Sequence, residues 1–137
     1  MNVPERDRGA APAAPVPRVA ATSRARAALA ELRRTVGPVA LFQSGGCCDG
    51  SLPLCFPDGE IELGPNDLRL GSVDGTPVYL DRRLLAVWGS SQWILDVADG
   101  APEGFSLAAG PEAHFVARAR IVAAGAFPDL ERAAAAP

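Results

Sequence analysis

The pair Gly37-Pro38 divides this chain into two kinds of pattern. Proline lacks the N–H that a helix needs, and glycine adopts the left-handed conformations that end one, so a helix reaching this point stops there. Before it, Val19, Ala25, Leu29, Leu32 and Val36 fall at helical spacing, with Arg26, Glu31, Arg33 and Arg34 on the opposite face. That spacing predicts an amphipathic helix over residues 21–36, with Thr22 or Ser23 as its N-cap. After Pro38 the period shortens. Residues 39–44, 61–63, 68–70, 77–80, 92–97, 104–107 and 114–122 read as strands, and Asp74-Gly75 marks a turn between two of them. In the last strand Phe115, Ala117, Ala119 and Ile121 share one face, while Arg118 and Arg120 take the other. Residues 81–88 suit a two-turn helix with Asp81 as N-cap, and Trp88 and Trp93 are expected in the core. The architecture predicted is α+β: one N-terminal helix packed on a mixed, mostly antiparallel β-sheet in a β-rich single domain.

A chain of 137 residues with 48% hydrophobic content suits one compact domain, which the periodic pattern places at 21–122. Residues 1–20 alternate charge with Ala and Pro, and Pro12, Pro15 and Pro17 exclude a helix there, so this head is expected to be disordered. Residues 123–137 form an Ala-rich tail in which Phe127 and Leu130 suit a short docked helix. The formal net charge is −3, and all thirteen basic residues are Arg, a mark of codon usage more than of a basic binding surface. Nucleic acid is therefore not an expected partner. No apolar run nears the ~20 residues that span a bilayer, so no membrane partner is expected. The charged start, with Glu5 and Asp7 and no apolar core, does not read as an export signal. A cytoplasmic, reducing location follows as the expectation, in which three cysteines are not a disulfide framework but point to metal, redox chemistry or packing.

All three cysteines lie in the glycine-rich segment 43–55, Gln-Ser-Gly-Gly-Cys-Cys-Asp-Gly-Ser-Leu-Pro-Leu-Cys. Gly45 and Gly46 permit positive φ and let backbone amides converge on a thiolate or an anion, and the thiolate is the form that ligates metals and attacks electrophiles. Adjacent cysteines on an extended segment point opposite ways, so one of Cys47 and Cys48 pairs more naturally with Cys55. The competing reading is that these small thiols fill a tight corner of the core. The C-C-x6-C spacing matches no zinc knuckle or ferredoxin, so a tetrahedral centre needs a further donor. The single histidine, His114, is one candidate, and Asp49 is the oxygen alternative, although Asp49-Gly50 also suits a plain turn. Ser44 lacks the flanking pattern of a hydrolase nucleophile, no phosphate-binding glycine loop is present, and Glu60 and Glu62 read as a solvated rim.

The stretch from Gly37 to Arg120, with GPVALFQSGGCCDGSLPLC, then VYLD, then GFSL, closely resembles a family of small bacterial proteins known as domain of unknown function family 779. The resemblance implies an association with aldehyde and alcohol dehydrogenase gene clusters. More distantly, the order of helix, strand, Gly45-Gly46-Cys47, hairpin region, 77–81 and Gly104-Phe105 is similar to the A-type iron–sulfur carrier (HesB-like) fold. That likeness implies that Cys47 ligates iron or a cluster. The carriers add a C-terminal cysteine pair after a segment like 104–111; this chain has none, and its nearest donor there is His114.

The leading expectation is a metal- or iron–sulfur-binding accessory protein of an aldehyde or alcohol dehydrogenase or oxygenase system. Cys47 and Cys55 supply thiolates, Gly45 and Gly46 shape the turn, and Cys48 or His114 completes the shell around a cluster, iron or zinc. An alternative is a thiol-dependent enzyme in which Cys47 or Cys48 adds to a reactive aldehyde. A further alternative is a metal-free module that assembles a dehydrogenase. Carriers of this fold often pair, which makes a homodimer a further expectation.

Overall fold

The structure is a computed structural model that describes residues 17–43, 52–88, 91–102, 106–122 and 131–132. The helix α1, Ser23–Thr35, follows the predicted pattern and ends before Gly37, which has φ +106°. Thr22 caps it: the hydroxyl accepts from the Ala25 N–H at 3.2 Å and donates to Asp96 Oδ1 at 2.9 Å. Asp96 also accepts from Arg118 Nε at 2.9 Å. Partial burial alone would raise this carboxyl, but the hydrogen bonds from Arg118, the Val97 N–H and Thr22 outweigh it and hold Asp96 below the usual carboxylate range. Ala25 and Leu29 are buried, Leu32 packs beside them, and Val36 lies largely exposed past the contact.

The strands are β1 (Val19–Ala21), β2 (Val39–Gln43), β3 (Leu54–Pro57), β4 (Asp67–Val73), β5 (Thr76–Asp81), β6 (Ser91–Asp99), β7 (Ala113–Ile121) and β8 (Glu131–Arg132). They form two sheets where the sequence suggests one. One has the order β1-β6-β7; the other has the order β3-β2-β5-β4-β8. Both are mixed: β1–β6 and β2–β5 are parallel, and the remaining pairs are antiparallel. The chain is thus α+β with mixed, mostly antiparallel pairing, as expected. Asp74 (φ +49°) and Gly75 (φ +87°) make the tight turn between β4 and β5, the backbone that an Asp-Gly pair favours in a two-residue hairpin.

Several expected elements differ. β1 begins at Val19, inside the stretch read as the head, because Val19–Ala21 finds a parallel partner in Trp93–Leu95. β3 emerges from the second half of the cysteine segment. Ile61 and Leu63 alternate like a strand but join no ladder. Of the expected strand at 104–107, residues 106 and 107 are irregular and the rest lies outside the described residues, as does the helix expected at 127–130. The expected two-turn helix is a 3₁₀ turn, Arg82–Leu84, capped by Asp81 and followed by α2, Leu85–Trp88.

The core lies on the inward faces of both sheets and under α1. Trp88, Trp93, Leu29, Leu41, Leu80 and Leu95 are fully buried there with Cys55. In β7 the predicted face holds for Phe115 and Ala117, but the strand outruns the core and leaves Ile121 76% exposed.

Candidate functional site

The cysteine segment joins β2 to β3; its first stem is tied to β6 of the opposite sheet and its second to the irregular stretch at 106–107. Alternation along β2 turns Val39, Leu41 and Gln43 inward. Gln43 is fully buried, and its Oε1 accepts from Trp93 Nε1 at 2.9 Å, so a buried indole N–H and a buried amide satisfy each other. Eight residues, 44–51, follow outside the described residues; Gly45, Gly46, Cys47 and Cys48 fall among them, with Ser44 and Asp49.

The chain is described again from Leu52, and Pro53 is buried. In β3, Leu54 pairs with Phe42 and Cys55 with Leu41. The Cys55 N–H donates to Ser106 Oγ at 2.9 Å, and its carbonyl accepts from the Leu107 N–H at 2.8 Å. Cys55 has no exposed surface, and loss of water pushes its thiol up to about 12. A neutral, inert thiol is what such surroundings favour.

His114 lies near the start of β7, opposite Ala98. Its neighbours Ala113 and Phe115 belong to the core that holds Cys55; His114 is out of phase with them and faces away. His114 and Cys55 are therefore not brought together. The His114 Nδ1 is 2.9 Å from the carbonyl oxygen of Gly100. A carbonyl only accepts, so Nδ1 is the donor, and the tautomer this selects for an uncharged ring has its unshared pair on Nε2. Gly100, at φ +112°, supplies a turn that few other residues adopt and leaves ordinary contact distance to the ring.

His114 lines a cleft of about 200 Å³ with Leu52, Pro53, Leu54, Pro102, Ser106 and Phe115. Leu52 follows Cys48 by four positions in the chain, so the cleft wall is the direct continuation of the cysteine segment. The residues present fit a metal in part: an imidazole with its tautomer set by a carbonyl is a suitable donor, whereas the apolar surroundings of Cys55 are not those of a thiolate ligand. Among the described residues, no group of three or more His, Cys, Asp or Glu side chains is gathered as a metal site. Glu60 and Glu62 are both exposed, as the solvated-rim reading expects. The Gln43–Trp93 bond and the Ser106 clamp were not read from the sequence; a buried tryptophan's need for an acceptor was the one available signal for the first.

Fold and site together define a small α+β domain of two mixed sheets, in which residues 52–54, leading into β3, line a cleft with His114. The family described as Domain of unknown function (DUF779) matches residues 28–121, and the chain belongs to it. No curated protein and no solved structure matches the chain. Among the described residues no helix is long and apolar enough to cross a membrane.

Proposed function

We propose that this chain is a small metal-binding accessory protein whose centre takes a thiolate from Cys47 or Cys48 and an imidazole from His114. Gly45 and Gly46 give the segment the backbone freedom to turn. The observation that carries the reading is the hydrogen bond from His114 Nδ1 to the Gly100 carbonyl at 2.9 Å. That bond sets the tautomer and leaves Nε2 as a donor atom in a cleft walled by the continuation of the cysteine segment. Cys55 stands outside the ligand set in this reading and serves the core. Thiolate and imidazole together suit zinc, iron or an iron–sulfur cluster, any of which would supply Lewis acidity or an electron-transfer or delivery function. The system served is an aldehyde or alcohol dehydrogenase or an oxygenase, with the homodimer as the assembly to look for.

The test is metal and acid-labile sulfide content per chain, on protein purified without oxygen and without a metal-binding tag. The expected outcome is about one metal centre per chain. It disappears in Cys47→Ser/Cys48→Ser, weakens about 10- to 100-fold in affinity in His114→Ala, and survives Cys55→Ala. Metal-free wild-type protein, or full loading in the double cysteine variant, rules the reading out.

The same histidine favours one second reading, a thiol-dependent enzyme. Nε2 of His114 acts as the general base, and Cys47 or Cys48 adds to the carbonyl carbon of a small aldehyde held by the apolar cleft walls. Metal-free protein with one thiol that iodoacetamide labels rapidly near neutral pH, and slowly in His114→Ala, would select this reading over the first.

A further inference from the structure

The five-stranded sheet carries a second cavity that shares no lining residue with the His114 cleft. Leu41, Val78 and Cys55 face the core, so the alternating positions Phe42, Tyr79 and Phe56 face the other side of the sheet. Phe42 lies beside Tyr79 in the parallel β2–β5 register, and β3 adds Phe56 next to them. A sheet face turned away from the core is normally polar; here it presents three aromatic rings, all half-buried. The segment after β3 folds Ile61 and Leu63 against them, which explains why these residues alternate like a strand without joining one. The space between them, open to solvent on one side, is about 180 Å³. That is close to the roughly 150 Å³ of a cavity known to accept benzene and below the roughly 300 Å³ at which sites for larger ligands begin.

The charge of the lining is one-sided. Its single charged side chain is Asp58, which is exposed at the rim, pairs with no cation among the described residues, and is held in place by its backbone N–H donating to the Pro38 carbonyl at 2.9 Å. Aromatic faces carry negative potential and attract cations whose own shell is apolar. A neutral hydrocarbon would contact the same walls but give Asp58 nothing, and an anion would be repelled by the carboxylate.

We infer that the Phe42–Phe56–Tyr79 cavity with Asp58 at its rim binds a small organic cation with an alkylated ammonium head. This inference is independent of the cysteine segment and its proposed metal.

The test compares choline with its neutral isostere 3,3-dimethyl-1-butanol, at ionic strength matched with sodium chloride, on the full-length protein. Binding is read from the backbone amide signals of Gly59 and Tyr79. Choline is expected to bind about fivefold or more tightly than the alcohol. Asp58→Asn, at an exposed position that leaves the fold intact, should bring choline to the level of the alcohol and leave the alcohol unchanged. Phe56→Leu should weaken choline as well, with the amide spectrum reporting an intact fold. Equal affinity for the two compounds, or choline binding indifferent to Asp58→Asn, overturns the assignment of a cation. Failure of both compounds to move either signal at about 10 mM overturns the site itself.

Discussion

Cys55 stands opposite Leu41 on the β2–β3 ladder with no exposed surface, while the other two thiols belong to residues 47 and 48 of the same segment. What separates its chemistry from theirs is a matter of phase. Pairing with inward-facing Leu41, rather than with Phe42, turns the thiol into the core; a one-residue slip would have turned it outward. Nothing in the C-C-x6-C spacing encodes that phase, so Cys55 looked as available as its neighbours. Burial raises its pKa from the ~8.5 of an unfolded thiol to about 12. The folded state therefore holds the proton more tightly. The stabilisation is fully present below pH ~8.5 and is lost progressively as pH rises toward 12. We expect urea midpoints to fall between pH ~8.5 and ~11 in the wild type and to fall less steeply in Cys55→Ala. In the same pH range iodoacetamide should modify Cys55 only after unfolding, as read by peptide mass spectrometry. Equal labelling rates for Cys55 in native and urea-unfolded protein would contradict its placement in the core.

The elements that pattern alone revealed are the ones with enough turns or alternations to repeat. The helix α1 shows its apolar stripe over thirteen residues and β7 its alternation over nine, so both were legible. The short strands were not. β1 has three residues, and it becomes a strand because Trp93–Leu95, more than seventy positions later, offers it a ladder. Its seat is also shaped by β4. The pairing of β4 with β5 shifts register between Arg69 and Gly71, and a Cβ built at Gly71 would stand 2.9 Å from Val19 Cγ2 and 3.1 Å from Val19 Cβ. Glycine is required here by close approach of a neighbouring strand. Gly71→Ala should therefore destabilise by about 1–3 kcal/mol, and Val19→Ala should recover part of that loss in the double variant. A urea double-mutant cycle measures it. Strictly additive effects would mean that the two positions do not meet.

At the scale of the molecule, β1 does more than extend an edge. It pairs with β6 in one sheet, and its Val19 packs against β4 of the other, so a three-residue strand ties the two sheets together. A chain beginning at Thr22 should lose about 2–4 kcal/mol, from the burial of Val19 and the loss of its ladder. The urea midpoint should fall for the signals of both sheets alike; an unchanged midpoint, or loss confined to β6 and β7, would show that β1 is not a shared element. The division into two sheets follows from long-range pairing of this kind, which a list of alternating segments does not contain.

Local physics accounts for much of what could be read directly. The stop at Gly37-Pro38, the cap at Thr22, the Asp74-Gly75 turn, the burial of both tryptophans and the α+β class all rest on interactions within a few residues or on residue type alone. The remaining features arise where strands distant in the chain meet. Which side of β3 carries Cys55, the carbonyl that sets the His114 tautomer, and the meeting of Phe42, Phe56 and Tyr79 around one cavity are each set by ladder register. Because side chains along a strand alternate, register decides the face of every one of them, and it is determined by the packing of the whole core at once.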